Sequence, residues 1–241
     1  RSLRMLVVFL AVAVAAKVSA LPSSAELVAR AKDGPSLLLT ELQVRDLRKR
    51  IKTDPKTAEW WEGVRGEAHS YLKEEVRIPD RGAQWGHYYV CKTCGAGLVA
   101  DSPTAHRCRK CGKVYSGWPW DEVYVNRFHE RLKESVYKCG LVYAVDGDLP
   151  CAERVKAIML GYAAQYPRYP LINNNGAWKE GMGKRGFSRA HSQALDEAVW
   201  LCRLLPGYDL AKDVFTDAER TLVEKNFLRL AVDIFRNDNF G

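Results

Sequence analysis

Two copies of a C-x-x-C-G motif, at residues 91–95 and 108–112, constrain this chain more than any other feature of its sequence. Two thiolates separated by two residues can bind one tetrahedral metal ion, and the glycine that follows lets the backbone turn without a clash at Cβ. Two such motifs complete a set of four sulfur ligands. The spacing therefore predicts a closed, structural zinc site with the ligands Cys91, Cys94, Cys108 and Cys111.

Two disulfides are the alternative interpretation of these cysteines, and disulfides are typical of exported proteins. Zinc is favoured because paired C-x-x-C motifs match metal geometry better than they match a disulfide framework. His106 is a candidate additional ligand, although four sulfurs suffice. Cys139 and Cys151 could pair across a predicted helical turn, but we interpret them as small core residues. A ring of aromatic residues is predicted to form the core that the metal holds together: Trp85, Tyr88, Tyr89, Tyr115, Trp118 and Trp120.

Residues 1–20 have the features of a secretory signal peptide. Arg1 and Arg4 precede an apolar run over residues 5–16, and small residues follow up to Ala20. The apolar run is too short to span a bilayer comfortably. We therefore predict cleavage after Ala20, a periplasmic or secreted location, and no membrane span after the signal is removed.

Chain length and charge narrow the class of protein. With 241 residues, the chain can form one large domain with a small insert. The net charge is +8, and part of it lies in the predicted signal peptide, so the remaining surface is mildly basic. Such a surface suits an anionic partner without choosing among nucleic acid, a membrane and an acidic polysaccharide.

From residue 23 onward the sequence pattern is helical almost throughout. Capping boxes at residues 40–43 and 216–219 predict two helix starts, and apolar residues at helical spacing predict long helices with short connections. A long helix is expected from Asp121 to residue 146. The following helix is expected to bury one face, made of Cys151, Val155, Ile158, Tyr162 and Tyr166.

Helices joined by short connections pack as antiparallel hairpins, and stacked hairpins form a solenoid or a closed α/α barrel. We predict an all-α fold with toroid helices at residues 21–83, a four-cysteine insert at 84–120, and further helical hairpins at 121–241. The last predicted helix leaves an apolar stripe uncovered, so we expect additional repeats beyond Gly241 in the natural protein.

A helix is also predicted over residues 188–200, with Ser188 as its cap. Gln193 and Glu197 lie four residues apart and so share one side of this helix, and His191 can act as an acid or base. A polar face turned to solvent is the alternative. The apolar face expected to contact the core consists of Leu195, Ala198, Val199 and Cys202.

The loop before this helix, residues 167–187, carries Trp178 among several cations, and Arg189 follows it. An indole beside a guanidinium can seat a sugar ring and its carboxylate. A solvated surface loop is the alternative interpretation.

Several of these phrases, in this order, resemble the heparinase II/III-like and alginate-lyase family of polysaccharide lyases. They are PSLLLT at residues 35–40, QWGHYYVC at 84–91, the second cysteine motif with its flanks at 108–117, and SQALDEAVW at 192–200. The resemblance covers nearly everything after Ser36. It implies an α/α toroid, normally followed by a β-rich domain, that cleaves polysaccharides containing uronic acid by β-elimination.

In that family an Asn or His on a toroid helix, a Tyr and further His residues carry the chemistry. This chain has no Asn-His dipeptide, and we expect the corresponding helix beyond residue 237. The resemblance therefore implies a truncated toroid with an incomplete active site and little activity in isolation. Among the residues present, the catalytic candidates are His191, Gln193 and Glu197, and the substrate-binding candidates are Trp85, Trp178 and Arg189.

Two other functions fit the same sequence. The first is a helical-repeat scaffold that binds nucleic acid through its zinc ribbon, because basic residues surround the motifs. Export argues against nucleic acid, so we predict an anionic polysaccharide as the partner. The second is a helical domain that binds carbohydrate without cleaving it. The basic residues in question are Lys92, Arg107, Arg109, Lys110 and Lys113.

Overall fold

The computed structural model describes residues 34–182 and 186–238. The predicted signal peptide lies outside these residues. The predicted all-α class is confirmed, because helices form most of the described chain and pack against one another. The helices are α1 (Glu41–Thr53), α2 (Pro55–Leu72), α3 (Trp120–Asp146), α4 (Leu149–Gln165), α5 (Ala194–Leu210), α6 (Asp217–Val223) and α7 (Arg229–Asp238), with a π-helical turn (Glu224–Leu228) between α6 and α7.

The helices begin and end where their side chains satisfy free backbone groups. Both predicted capping boxes are confirmed, at Thr40 before α1 and at Thr216 before α6. Helix α3 ends at Gly147, whose φ of 75° is the left-handed conformation that glycine adopts freely. Asp148 then caps α4 by accepting a hydrogen bond from the backbone N–H of Cys151 at 3.0 Å. This two-residue connection makes α3 and α4 an antiparallel hairpin.

The core lies around α4, and the predicted buried face of this helix is confirmed. Tyr162 and Tyr166 are fully buried, and Trp200 from α5 packs on the ring of Tyr162 at a centroid distance of 5.1 Å. Phe227 from the π-helical turn lies 4.8 Å from the ring of Tyr166. Helix α4 with the residue that follows it, α5 and the π-helical turn thus meet in one buried aromatic cluster.

Helices α3 and α5 approach each other most closely at two glycines. Gly140 on α3 faces Gly207 on α5, and an added Cβ at either position would lie well inside van der Waals distance of the other helix's backbone. The absence of side chains at both positions therefore sets the spacing between these helices.

The insert at residues 84–120 contains a three-stranded antiparallel sheet in the order β1 (Leu98–Ser102), β2 (Ala105–Cys108), β3 (Val114–Tyr115). Leu98, Tyr115 and Trp120 form its small core together with two of the cysteines. Of the predicted aromatic ring, Tyr115 and Trp120 are buried, whereas Trp85 and Trp118 are exposed. A two-stranded hairpin, β4 (Ile172–Asn173) and β5 (Gly176–Ala177), lies in the loop before α5.

The prediction for α5 was wrong in its start and in its buried face. The helix begins at Ala194, and Ser188 instead pairs with Ile172 outside any helix. Leu195 is 68% exposed and Val199 is 60% exposed. The buried face consists of Ala194, Glu197, Trp200, Leu201 and Leu204. Apolar residues occur on every side of this helix, so spacing alone did not determine which side is buried.

None of the helices in residues 34–182 and 186–238 combines the length and apolar character needed to cross a membrane. Closure of the helices into a toroid stays a prediction.

The glycine contact between α3 and α5 yields a stability prediction. Gly140→Ala should lower the free energy of unfolding by about 2–3 kcal/mol, because the new methyl group forces the helices apart. Gly63→Ala is the matched control, since an added Cβ there meets open space on α2. The control should raise the free energy of unfolding by about 0.5–1 kcal/mol. Urea denaturation measures both, and equal effects of the two substitutions would contradict the close contact.

Candidate functional site

The four motif cysteines converge on one point. The Sγ atoms of Cys94 and Cys108 lie 3.5 Å apart, and those of Cys91 and Cys111 lie 3.6 Å apart. All four Sγ atoms lie within 4.8 Å of one another. A tetrahedral zinc ion with Zn–S bonds of about 2.3 Å requires sulfur atoms about 3.8 Å apart. The residues therefore fit a structural metal ion bound by four thiolates.

The local backbone explains why this sequence brings the sulfurs together. Gly95 and Gly112 have φ values of 69° and 74°, which the turn after each C-x-x-C pair requires. The backbone N–H of Cys111 donates to Cys108 Sγ at 3.4 Å and lowers the pKa of the Cys108 thiol. The hydroxyl of Tyr115 lies 3.1 Å from Cys91 Sγ and lowers the pKa of that thiol to about 5. Both effects favour the thiolate form that binds metal.

His106 does not belong to the metal site. Its Nδ1 lies 2.7 Å from the hydroxyl of Tyr89, and its Nε2 lies 2.9 Å from Oδ1 of Asp121. Both ring nitrogens are therefore engaged, and the side chain is fully buried. His106 instead ties the insert to the first turn of α3.

A cleft of about 190 Å³ lies where the start of the insert, α3 and the loop before α5 meet. His191 and Trp85, both predicted from the sequence as functional residues, line this cleft. Helix α3 supplies three polar side chains that share one stripe of the helix, and α5 supplies one more. These four polar residues are Asn126, Glu130, Lys133 and Asp196.

Two residues that line the cleft each have a polar atom with no hydrogen-bond partner among the described residues. The atoms are Oδ1 of Asn126 and Nε2 of His191, and both are buried. Burial lowers the pKa of His191 well below its usual value, and the nearby His129 and Lys133 lower it further. His191 is therefore a neutral imidazole at physiological pH. Buried polar groups are normally satisfied, so these two atoms are candidate contacts for an ordered water or a ligand.

Glu197 lies behind His191 and fixes its position. Its carboxylate is fully buried, and it accepts the backbone N–H of His191 at 2.8 Å and that of Arg189 at 3.3 Å. The hydroxyl of Tyr166 donates to its other oxygen. Burial raises the pKa of Glu197 to about 6. Glu197 thus holds the loop that carries His191, and it does not line the cleft.

The other predicted residues lie outside the lining of the cleft. Gln193 is the residue before α5 and is half-buried. The indole N–H of Trp178 donates to the carbonyl oxygen of Met182 at 2.9 Å. The guanidinium of Arg189 donates to the carbonyl oxygen of Tyr169. Their predicted roles stay predictions.

Sequence reasoning missed the four polar residues that α3 and α5 contribute to the cleft. Asn126, Glu130 and Lys133 follow helical spacing along a helix whose neighbouring faces are apolar or charged. This polar stripe beside buried positions could have indicated a site on α3. That Asp196 lines the same cleft depends on the packing of α3 against α5, which the sequence does not show.

The basic residues around the cysteine motifs are partly engaged within the insert. Arg107 forms a bidentate pair with Asp101 at 2.7 and 2.8 Å. The ammonium of Lys92 lies 4.7 Å from the ring centroid of Trp120. These contacts reduce the free positive charge that a nucleic-acid surface needs.

Metal content tests the cysteine site. We expect one zinc ion per chain, measured by atomic emission on protein purified without chelators. Cys108→Ser should remove the zinc and unfold the insert, because structural zinc contributes folding energy directly. Cys202→Ser is the control, since Cys202 is exposed and far from the motifs in sequence. A metal-free chain whose mass is lower by the thiol hydrogens that are lost when two disulfides form would contradict the site.

The pH dependence of stability tests the burial of Glu197. Its folded-state pKa of about 6 lies above the ordinary 4.5, so the folded state binds the proton more tightly than the unfolded state. Glu197 therefore stabilises the fold below pH 4.5 and loses about 2 kcal/mol of that contribution as the pH rises through 6. Urea denaturation measures the free energy of unfolding of the native chain and of Glu197→Gln. The native value minus the Glu197→Gln value should fall by about 2 kcal/mol between pH 4.5 and 7. For the control Glu153→Gln, at an exposed position, the difference in the free energy of unfolding should not change with pH. A difference for Glu197→Gln that also does not change with pH would contradict the buried carboxyl.

Comparison with known proteins gives two partial similarities, and no protein-family model matches the chain. The chain is 28% identical over 101 residues to an alginate lyase of Stenotrophomonas maltophilia (strain K279a), covering 42% of this chain and 13% of that protein. It is 30% identical over 109 residues to an exo-oligoalginate lyase of Saccharophagus degradans, covering 45% of this chain and 14% of that protein. The matched segments thus span about one seventh of the length of these relatives. The chain is similar to alginate lyases over less than half of its residues.

Proposed function

We propose that this chain provides part of the substrate cleft of an exported polysaccharide lyase that cleaves a polymer containing uronic acid by β-elimination. The observation that carries the proposal is the pair of unpartnered buried atoms, Asn126 Oδ1 and His191 Nε2, in one cleft. The names of the two similar proteins, an alginate lyase and an exo-oligoalginate lyase, support the same substrate class.

β-Elimination requires three roles from the protein. The carboxylate of the uronate must be neutralised so that the neighbouring C–H becomes acidic. A base then removes that proton, and an acid protonates the departing glycosidic oxygen. Electrons from the broken C–H bond form the new double bond as the C–O bond breaks.

The cleft contains a group suited to each role. The Lys133 ammonium can contact the substrate carboxylate, and Oδ1 of Asn126 can accept a hydrogen bond from a sugar hydroxyl. Neutral His191 has a free ring nitrogen that can accept the proton. Burial and the nearby Glu130 raise the pKa of Asp196, which favours the protonated form that a proton donor needs. Trp85 is 37% exposed and offers a flat face for the sugar ring.

The charges of the cleft are compatible with an anionic ligand. Lys133 and Glu130 form an ion pair, so their charges cancel. Asp196 is the remaining acidic group, and a bound carboxylate would raise its pKa further. The protonated form of Asp196 would then leave the cleft without net negative charge.

We propose that the chain is divided after residues 83 and 120. Helices α1 and α2 precede the four-cysteine insert, the helices from α3 onward follow it, and all of these helices belong to an α/α toroid. Zinc at the cysteines would hold the insert rigid and thereby fix Trp85 at the mouth of the cleft. Removal of the first 20 residues on export is part of the same proposal.

Binding of short alginate oligomers tests the cleft. Asn126→Ala and His191→Ala should each weaken binding roughly tenfold or more, because each removes a group that contacts the ligand. Asp196→Asn should tighten binding, since it removes the one uncompensated negative charge. Calorimetry measures affinity, and ultraviolet absorbance of unsaturated uronate ends measures cleavage.

The exposed Asn175→Ala and the half-exposed His69→Ala are matched controls and should bind like the native chain. Equal binding of a neutral oligosaccharide, or weaker binding by Asp196→Asn, would contradict an anionic ligand in this cleft. Tight binding without absorbance would assign the cleft to recognition without cleavage, which is the second candidate function.

A further inference from the structure

A second cavity, of about 430 Å³, lies on a different face of α3. The segment after α2 and the helices α3 and α4 form its walls. It shares no lining residue with the cleft around His191. Its charged lining residues are Glu74, Glu75, Arg77, Arg127, Arg131 and Arg154.

Both carboxylates of this cavity are already neutralised. Arg131 forms a bidentate pair with Glu74, with its Nε at 3.1 and 3.2 Å from the two carboxylate oxygens. Arg77 pairs with Glu75 at 2.8 Å. Four guanidinium groups therefore share this cavity with two carboxylates, which leaves an excess of positive charge.

Arg127 and Arg154 carry that unbalanced charge. The guanidinium of Arg127 lies 3.4 Å from the ring centroid of Tyr124 and makes no hydrogen bond or ion pair within residues 34–182 and 186–238. Arg154 is only 7% exposed, and it donates to Ser135 Oγ at 3.1 Å and to the carbonyl oxygen of Glu74. No carboxylate of the described chain lies within ion-pair distance of Arg154. A largely desolvated cation without a counterion is costly, and a bound anion offsets that cost.

The cavity also offers an apolar surface. Phe128 is 40% exposed and lies beside Arg127, whose guanidinium carbon is 4.9 Å from the ring centroid of Phe128. A neighbouring cavity of about 280 Å³ shares Arg77 and Phe128 and continues over Pro79 and Tyr124. Because the two cavities share these lining residues, we treat them as one groove.

We infer that this groove is a second binding site, separate from the cleft, for a carboxylate-bearing sugar ring. The two unbalanced guanidinium groups bind the carboxylate, since their fork of N–H donors matches its geometry. Phe128 contacts the apolar face of the ring. The inference shares with the proposed function only the chemical class of the ligand, and the groove can hold a polymer that the chain does not cleave.

Titration of the full chain with alginate oligomers tests the groove. Arg127→Gln should weaken one of two binding events roughly tenfold, because it removes a charge-assisted contact. Phe128→Ala should weaken the same event. Arg45→Gln is the matched control, since it removes an equal charge from an exposed arginine on α1. The control should leave both events unchanged.

The outcomes separate this site from the cleft and from nonspecific attraction. Two sites are supported if His191→Ala removes the binding event that Arg127→Gln leaves unchanged, and leaves the other binding event intact. If Arg127→Gln weakens oligomer binding but substitutions in the cleft do not, the proposed function is contradicted and the second binding site is supported. Equal weakening by Arg127→Gln and Arg45→Gln, or loss of all binding in His191→Ala, overturns the groove. Competition by glucuronate but not by acetate supports a sugar ring, and equal competition by both overturns it.

Discussion

A single buried carboxylate determines the arrangement of the cleft. Glu197 lies on the core face of α5, where an ionisable group is tolerated only if its oxygens are hydrogen-bonded. The backbone N–H groups of Arg189 and His191 supply those bonds, so the chain ahead of α5 folds around Glu197. This is why residues 188–193 form a loop and not the first turns of a helix. It is also why His191 faces α3 with one ring nitrogen unpartnered.

Helix α3 connects the other functional parts of the molecule. Asp121 in its first turn binds His106 and so anchors the cysteine insert. Further along, one stripe of α3 lines the cleft, and the adjacent stripe carries Arg127 and lines the groove. Gly140 near its end sets the approach of α5. One helix therefore connects the cysteine insert, the cleft and the groove.

Features of short range could be predicted from the sequence, and features of long range could not. The cysteine spacing, both capping boxes and the buried face of α4 depend on residues a few positions apart, and the structure agrees with each of them. The buried face of α5 was predicted wrongly, because Leu195 and Val199 are as apolar as the residues that are buried in their place. The cleft escaped prediction because Asn126 and His191 meet only through tertiary packing. The overall class followed from helical periodicity, whereas closure into a toroid depends on contacts that periodicity does not encode.

In the proposed function, His191 contacts an acidic sugar from a loop that Glu197 holds in place. Nuclear magnetic resonance of the imidazole nitrogens, during titration with alginate oligomers, tests this directly. The Nε2 signal of His191 should shift on binding because that nitrogen gains a partner. The nitrogens of His129 should stay unchanged, since both already lie within hydrogen-bond distance of Tyr162 and of the Arg81 carbonyl. Unchanged His191 signals at saturating oligomer would contradict the account.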